Sequence, residues 1–273
     1  MKLSALDDLS IRPLMPTDLE DVAALQPEGW GDILPSIRFY TTSQFCHPLK
    51  ANLNGKTVGI GTAIMHKNTA WLGHIIVHKD FRNAGIGGSI TASLIEIVRG
   101  LGYETMFLIA TALGERVYSK LGFTTEARYV FLDFGDLPEP SGESNVEPFQ
   151  PKYKDDLLDF DLHTSGENRE RLLTEHLNDA KLFLQDNKII GCYLPTLGEG
   201  LILASNSAVG VELMKHKYRH NKNFCIPTEN VAGISFLEQH GYKKVREASR
   251  MILGKKINWD PSKIYSRIGG NLG

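Results

Sequence analysis

The stretch Val77-His78-Lys79-Asp80-Phe81-Arg82-Asn83-Ala84-Gly85-Ile86-Gly87-Gly88-Ser89 decides how the chain is read. Before it, Trp71-Leu72-Gly73-His74-Ile75-Ile76-Val77 is apolar enough for a central strand. After it, Ile90, Leu94, Ile97, Val98 and Leu101 fall on one face of a helix. The stretch is therefore a strand-to-helix turn. Glycines at 85, 87 and 88 let the backbone turn tightly and bring its N–H groups close to a bulky anion. The helix start adds unpaired donors and a partial positive charge, and Arg82 adds a full one. A pyrophosphate suits such a turn.

Two familiar phosphate loops fit poorly. A P-loop needs Gly-Lys-Ser/Thr at its end, and Gly87-Gly88-Ser89 has no Lys. A dinucleotide fingerprint needs Gly at position 90, where Ile stands. On the loop alone, a glycine-rich turn with no ligand stays open. Downstream, Thr111, Gly114, Val117, Tyr118, Gly122 and Phe123 form a second pattern, a helix that ends in Gly-aromatic.

The chain also repeats itself. Ile11-Arg12-Pro13 followed by Asp18-Leu19 is echoed by Glu147-Pro148 followed by Asp156-Leu157. The hairpin signal Asn54-Gly55-Lys56-Thr57-Val58-Gly59 is echoed by Asp186-Asn187-Lys188-Ile189-Ile190-Gly191. Leu121-Gly122-Phe123 is echoed by His240-Gly241-Tyr242. From Lys56 to Gly122 is 66 positions, but from Lys188 to Gly241 only 53, a loss of 13 (66 − 53). Leu201 to Gly210, the counterpart of the glycine turn, has no Arg and no paired glycines. The second half thus reads as a copy without the anion cradle.

Both motifs resemble the GNAT superfamily of N-acetyltransferases. Arg82-Asn83-Ala84-Gly85-Ile86-Gly87 is similar to that family's Arg/Gln-x-x-Gly-x-Gly/Ala loop. Residues 111–123 resemble its Asn-x-x-Ala-x-x-Leu-Tyr-x-x-x-Gly-Phe helix, with Thr111 where Asn is usual. The resemblance covers nearly all of residues 1–137, and in part the second half, where Leu237 takes the tyrosine's place. It implies an α/β (α+β mixed) fold of two tandem GNAT-like domains, each a mainly antiparallel mixed sheet flanked by helices. The expected limits are a catalytic acyl-CoA-binding domain over 1–137, a Pro/Gly/Ser-rich linker over 138–145, and a degenerate copy over 146–273 that covers or shapes the acceptor site.

The resemblance further implies transfer of an acyl group, most often acetyl, from acetyl-CoA to a primary amine, with no metal. Arg82, Asn83, Ala84, Gly85, Ile86, Gly87, Gly88, Ser89 and Thr111 would hold the co-substrate. Backbone N–H groups around Ile76 and Val77 would steady the thioester oxygen. Tyr118 stands where the family's general acid stands. An alkyl amine has a pKa near ~10 and must lose a proton before it attacks. His74 is the candidate base, provided a strand bulge turns it from the face opposite Val77. His78 and Glu104 read as surface groups, and a water relay is the alternative. Glu28, Trp30 and Asp32 lie in an irregular segment expected to border the acceptor.

Composition sets the outer bounds. The chain is 42% hydrophobic and 23% charged, which suits folded domains. Its net charge of −2 lacks the footprint of a nucleic-acid binder. No apolar run approaches the ~20 residues that cross a bilayer. Three scattered cysteines and a start, Met1 to Asp8, that turns acidic early favour a reduced, cytoplasmic protein. Monomer and homodimer both fit, as do small-molecule and protein amines. The competing readings are a non-catalytic acyl-CoA sensor and a nucleotide-binding domain.

Overall fold

The computed structural model describes residues 8–140 and 145–273. The start used in the argument against a secretory signal, Met1 to Asp7, and the middle of the expected linker, 141–144, lie outside the described residues.

The first half runs β1 (Leu9–Pro13), α1 (Leu19–Ala23), α2 (Leu34–Thr42), β2 (Cys46–Leu53), β3 (Lys56–Met65), β4 (Ala70–Val77), α3 (Ile86–Gly100), β5 (Thr105–Ala110), α4 (Ala112–Ser119) and β6 (Thr124–Asp133). The second runs β7 (Val146–Pro148), α5 (Lys154–Ser165), α6 (Glu170–Leu173), β8 (Lys181–Gln185), β9 (Lys188–Leu194), β10 (Leu201–Ala204), α7 (Ser207–Tyr218), β11 (Phe224–Pro227), α8 (Val231–Gln239), β12 (Lys243–Gly254) and β13 (Ile264–Ser266). The repeat is visible element by element. Asn54 and Gly55 in one hairpin, Asp186 and Asn187 in the other, all take left-handed backbone, as a two-residue hairpin turn requires. Both motif helices end on a left-handed glycine, Gly122 and Gly241.

The described strands form two sheets. One has the order β1-β2-β3-β4-β5-β12-β6-β11, the other β13-β10-β9-β8-β7. Neighbours are antiparallel except β4 and β5, which run parallel. The helix α3 buries Ile90, Leu94, Ile95 and Val98 against the first sheet.

The sheets are not divided at the linker. The long strand β12 of the second half lies between β5 and β6 of the first. Reciprocally, β6 carries its far edge to β11 of the second half. Each half thus lends a strand to the other.

A buried ionic joint reinforces the exchange. Glu167 accepts from Thr69 Oγ1 and Trp71 Nε1, both at 2.7 Å, and from Arg250 of β12 at 3.3 Å. The Arg250 guanidinium also stacks on Phe107 at 4.1 Å and Trp259 at 3.9 Å. Both charges are buried; three hydrogen bonds offset the desolvation of Glu167, and the ion pair with the aromatic faces offsets that of Arg250.

Candidate active site

The glycine turn forms between β4 and α3, as the sequence suggested. Eight residues, 78–85, join β4 to α3. Gly85 caps the helix with φ +88°, which L side chains rarely adopt, and Asn83 is left-handed too. The first N–H groups of α3 have no acceptor within the helix. Ile86 is buried in the core, so only its backbone faces outward use. Asn83, Ala84, Gly85 and Ser89 are exposed. Ser89 Oγ turns back toward the Gly85 carbonyl at 3.4 Å. Arg82 Nε donates to the Val77 carbonyl at 3.2 Å, which holds the guanidinium at the end of β4.

The protein itself does not need glycine at 88. A Cβ added there would come no nearer than 3.9 Å to Val117, and the position lies in a helix, where glycine costs up to about 1 kcal/mol against alanine. A small residue here leaves room for something the protein does not supply. Beside it, Leu113 and Val117 leave apolar surface on α4 uncovered.

Only Ala70↔Met106 and Trp71↔Phe107 pair β4 with β5, and beyond them the strands part. On its other edge β4 stays paired, Ile76 with Ile60 and Val77 with Gly59. The gap therefore exposes main-chain groups of β4 around Ile76 and Val77 on one side only.

His74 sits at a bulge in β4. Between the pairs Ile60↔Ile76 and Thr62↔Gly73, β4 carries one extra residue, and His74 has φ +48°. Its Nδ1 lies 2.9 Å from Tyr40 Oη. Burial pushes its pKa down to about 4, so the ring is neutral near pH 7. Burial pushes the Tyr118 phenol up to about 12, which keeps it protonated. Tyr118 packs edge-on against Phe123.

The expected acceptor residues lie together on one loop. Gln26 organises it, its Nε2 donating to the Pro27, Trp30 and Gly31 carbonyls and its Oε1 accepting from Ile33 N–H. Trp30, half exposed, meets the His74 ring edge-on at 6.2 Å. Asp32 Oδ1 accepts from Leu34 N–H at 3.0 Å and so caps the start of α2. Glu28 is exposed. Thr111 Oγ1 accepts from Gly114 N–H at 3.3 Å, so this hydroxyl serves as a helix cap. Glu104 contributes its carbonyl to Lys255 N–H, away from this cluster. The sequence missed Gln26, Tyr40 as the partner of the imidazole, and Asn271 as the partner of Tyr40.

The second half differs at each of these places. Only two residues, 205 and 206, separate β10 from α7, against eight in the first half. Six of the thirteen missing positions thus fall in this turn. Asn230 caps α8 through Gly233 N–H at 2.9 Å, as Thr111 caps α4, and its Nδ2 donates to the Ile264 carbonyl. That carbonyl belongs to β13, which pairs with β10 and is tied to β11 by Arg267 N–H to the Cys225 carbonyl. The gap between β10 and β11 is filled by the chain's own segment. Tyr265 closes it so tightly that a Cβ at Gly210 would lie 2.3 Å from the ring.

Two family models match the chain in tandem. The Acetyltransferase (GNAT) family covers residues 17–123 and the Acetyltransferase (GNAT) domain residues 157–266. The chain belongs to the GNAT family. Acyl transfer is the chemistry of that family, and both halves carry its fold. Comparison with curated proteins gives no match. Among solved structures, a protein of Pyrococcus horikoshii provisionally described as an acetyltransferase is 23% identical. The match covers 98% of this chain and 96% of that one with a TM-score of 0.83. A GCN5-related N-acetyltransferase from Sphaerobacter thermophilus is 14% identical over 94% and 99%, TM-score 0.62. A tandem GNAT protein from the clavulanic acid biosynthesis pathway is 15% identical over 92% and 99%, TM-score 0.60. These likenesses show the same two-part fold. Among the described residues no group of His, Cys, Asp and Glu is placed to hold a metal, and no helix is long and apolar enough to cross a membrane.

Proposed function

We propose that the chain moves an acetyl group from acetyl-CoA to a primary amine, in the cleft of the first half. The observation that carries this reading is the cradle at 82–88. Its N–H groups lack intrahelical partners, and its Gly88 leaves a space the protein does not fill. A diphosphate suits these donors and the Arg82 charge. The apolar faces of Leu113 and Val117 and the gap between β4 and β5 would guide the thioester arm inward.

Each residue then has a defined task. The N–H of Val77 would meet charge that develops on the thioester oxygen, since that of Ile76 faces Ile60 of β3. Tyr118 would act as the acid toward the leaving sulfur. A thiol has a pKa of about 8.5, so complete proton transfer from a phenol near 12 is uphill. Tyr118 therefore contributes as a hydrogen-bond donor that strengthens as negative charge builds. Trp30, with Glu28 nearby in sequence, would line the approach of the amine, and the second half would shape the far wall.

The test combines binding with turnover. Calorimetry with acetyl-CoA, ATP and NAD, then CoA release with a panel of amines, should give binding of acetyl-CoA alone and turnover with at least one amine. Arg82→Ala should weaken acetyl-CoA about tenfold, the loss of one charged hydrogen-bonding partner. Binding of a nucleotide in its place would overturn the reading.

A further inference from the structure

The segment that fills the second cleft does not stop there. After β13, the N–H groups of Ile268 and Gly269 both reach the Gly273 carbonyl, at 2.9 and 3.3 Å, and close residues 268–273 into a loop. That loop enters the first half at the point where β4 and β5 part. On one side, a Cβ on Gly73 would lie 2.4 Å from Asn271 Cβ, so the approach requires glycine there. On the other, a Cβ on Gly270 would lie 3.8 Å from Ile109 Cβ. One strap thus fills the second gap and floors the first. The Asn271 amide donates to Tyr40 Oη, and Tyr40 Oη contacts His74 Nδ1 at 2.9 Å.

Hydrogen counting fixes the direction of this chain. The Asn271 Nδ2 group can only donate, so Tyr40 Oη accepts from it. Tyr40 is 1% exposed, and among the described residues its hydroxyl has one other hydrogen-bonding partner, His74 Nδ1. Were Nδ1 protonated, that hydrogen would be buried without an acceptor, at a cost of about 1–3 kcal/mol. The phenol therefore donates to Nδ1, and the neutral imidazole carries its hydrogen on Nε2. No charged group enters the balance, since burial alone shifts the ring. Nε2 has no hydrogen-bond partner among the described residues and is not sealed off.

We propose that Asn271 is a positioning residue for the first half: through Tyr40 it holds His74 as the Nε2–H tautomer, so the free nitrogen of the ring offers a hydrogen-bond donor and not a lone pair. The consequence for catalysis rests on the acetyl-transfer reading, while the tautomer itself does not. A ring in this state does not take a proton from an ammonium. His74 then steadies an oxygen of the acceptor, and the substrate class is an amine with a carbonyl, carboxylate or hydroxyl oxygen near the reacting nitrogen. Its ammonium proton leaves to water.

The test reads the tautomer directly. In the full chain labelled with nitrogen-15 histidine, long-range imidazole spectra at pH 7–8 report the state of each ring, and the His74 signals are assigned by their loss in His74→Gln. The wild type should show the Nε2–H pattern. Asn271→Asp replaces the donor with an acceptor, so Tyr40 turns toward residue 271 and His74 switches to the Nδ1–H pattern. Its titration midpoint should rise by about one unit or more. Adding Tyr40→Phe to Asn271→Asp should abolish that switch. An Nδ1–H or charged His74 in the wild type overturns the proposal. So does an unchanged pattern in folded Asn271→Asp. Should acetyl-CoA fail to bind while the spectra behave as stated, the functional reading fails and the tautomer assignment stands.

Discussion

The two clefts began from one pattern and are filled in different ways. In the first, an eight-residue turn leads into α3 and β4 and β5 part beside it, with Gly270 and Asn271 at the floor of the gap. In the second, two residues replace the cradle, and β13 bonds into the gap with Asn230 holding its backbone. The difference teaches that the turn and the gap can be remodelled while the fold is kept, provided something replaces the buried contacts. A parted pair of strands leaves main-chain groups that must be bonded. A co-substrate does this in one case by the reading above, and β13 does it in the other.

The comparison breaks most severely if the halves come apart. Arg250→Ala removes the partner of Glu167 inside the joint and leaves a buried carboxylate short of a cation. It should cost about 3–5 kcal/mol. Urea unfolding followed by tryptophan fluorescence should show one transition, moved to lower denaturant. A shift below about 1 kcal/mol would mean that the joint is replaceable.

A smaller change tests which half carries chemistry. Tyr118→Phe keeps the ring and removes the donor, and kcat should fall roughly a hundredfold with little change in KM for acetyl-CoA. Leu237→Tyr, its counterpart in the filled cleft, should restore nothing in that background. Unaltered turnover by Tyr118→Phe would remove Tyr118 from the mechanism.

The mildest substitution sharpens the contrast most. Gly88→Ala adds a methyl group where the nearest atom is 3.9 Å away. Thermal melts should show a gain of up to about 1 kcal/mol, because alanine is the better helix former. Calorimetry should show weaker acetyl-CoA binding in the same protein. A variant that is more stable and binds equally well would show that the space above Gly88 has no ligand.

Local geometry was legible in the sequence. The glycine turn, the two hairpins and the two Gly-aromatic helix ends each rest on a few neighbouring residues with special backbone needs, and all formed as read. The missing cradle was visible as missing length. The bulge at His74 was a conditional expectation, because one extra residue in a strand leaves no mark on its pattern. What escaped was pairing across long separations. Nothing near Arg250 tells a reader that this charge is buried, since its partner Glu167 is 83 positions away. Tyr40 and Asn271 are 231 positions apart and meet only because β13 crosses between the halves. Strands β6 and β12 are legible as strands, but their periodicity does not state which edge each will take.

The exchange of β6 and β12 also governs how the chain can be made. On the ribosome, β1 to β5 emerge early, yet the neighbour that completes β5 is not synthesised until residues 243–254. Until then β5 presents an open edge, the kind of surface on which nascent chains aggregate. Two repeats that look able to fold in succession must wait for each other. Their folding should therefore be slow and post-translational, as expected where the decisive contacts join distant parts of the chain.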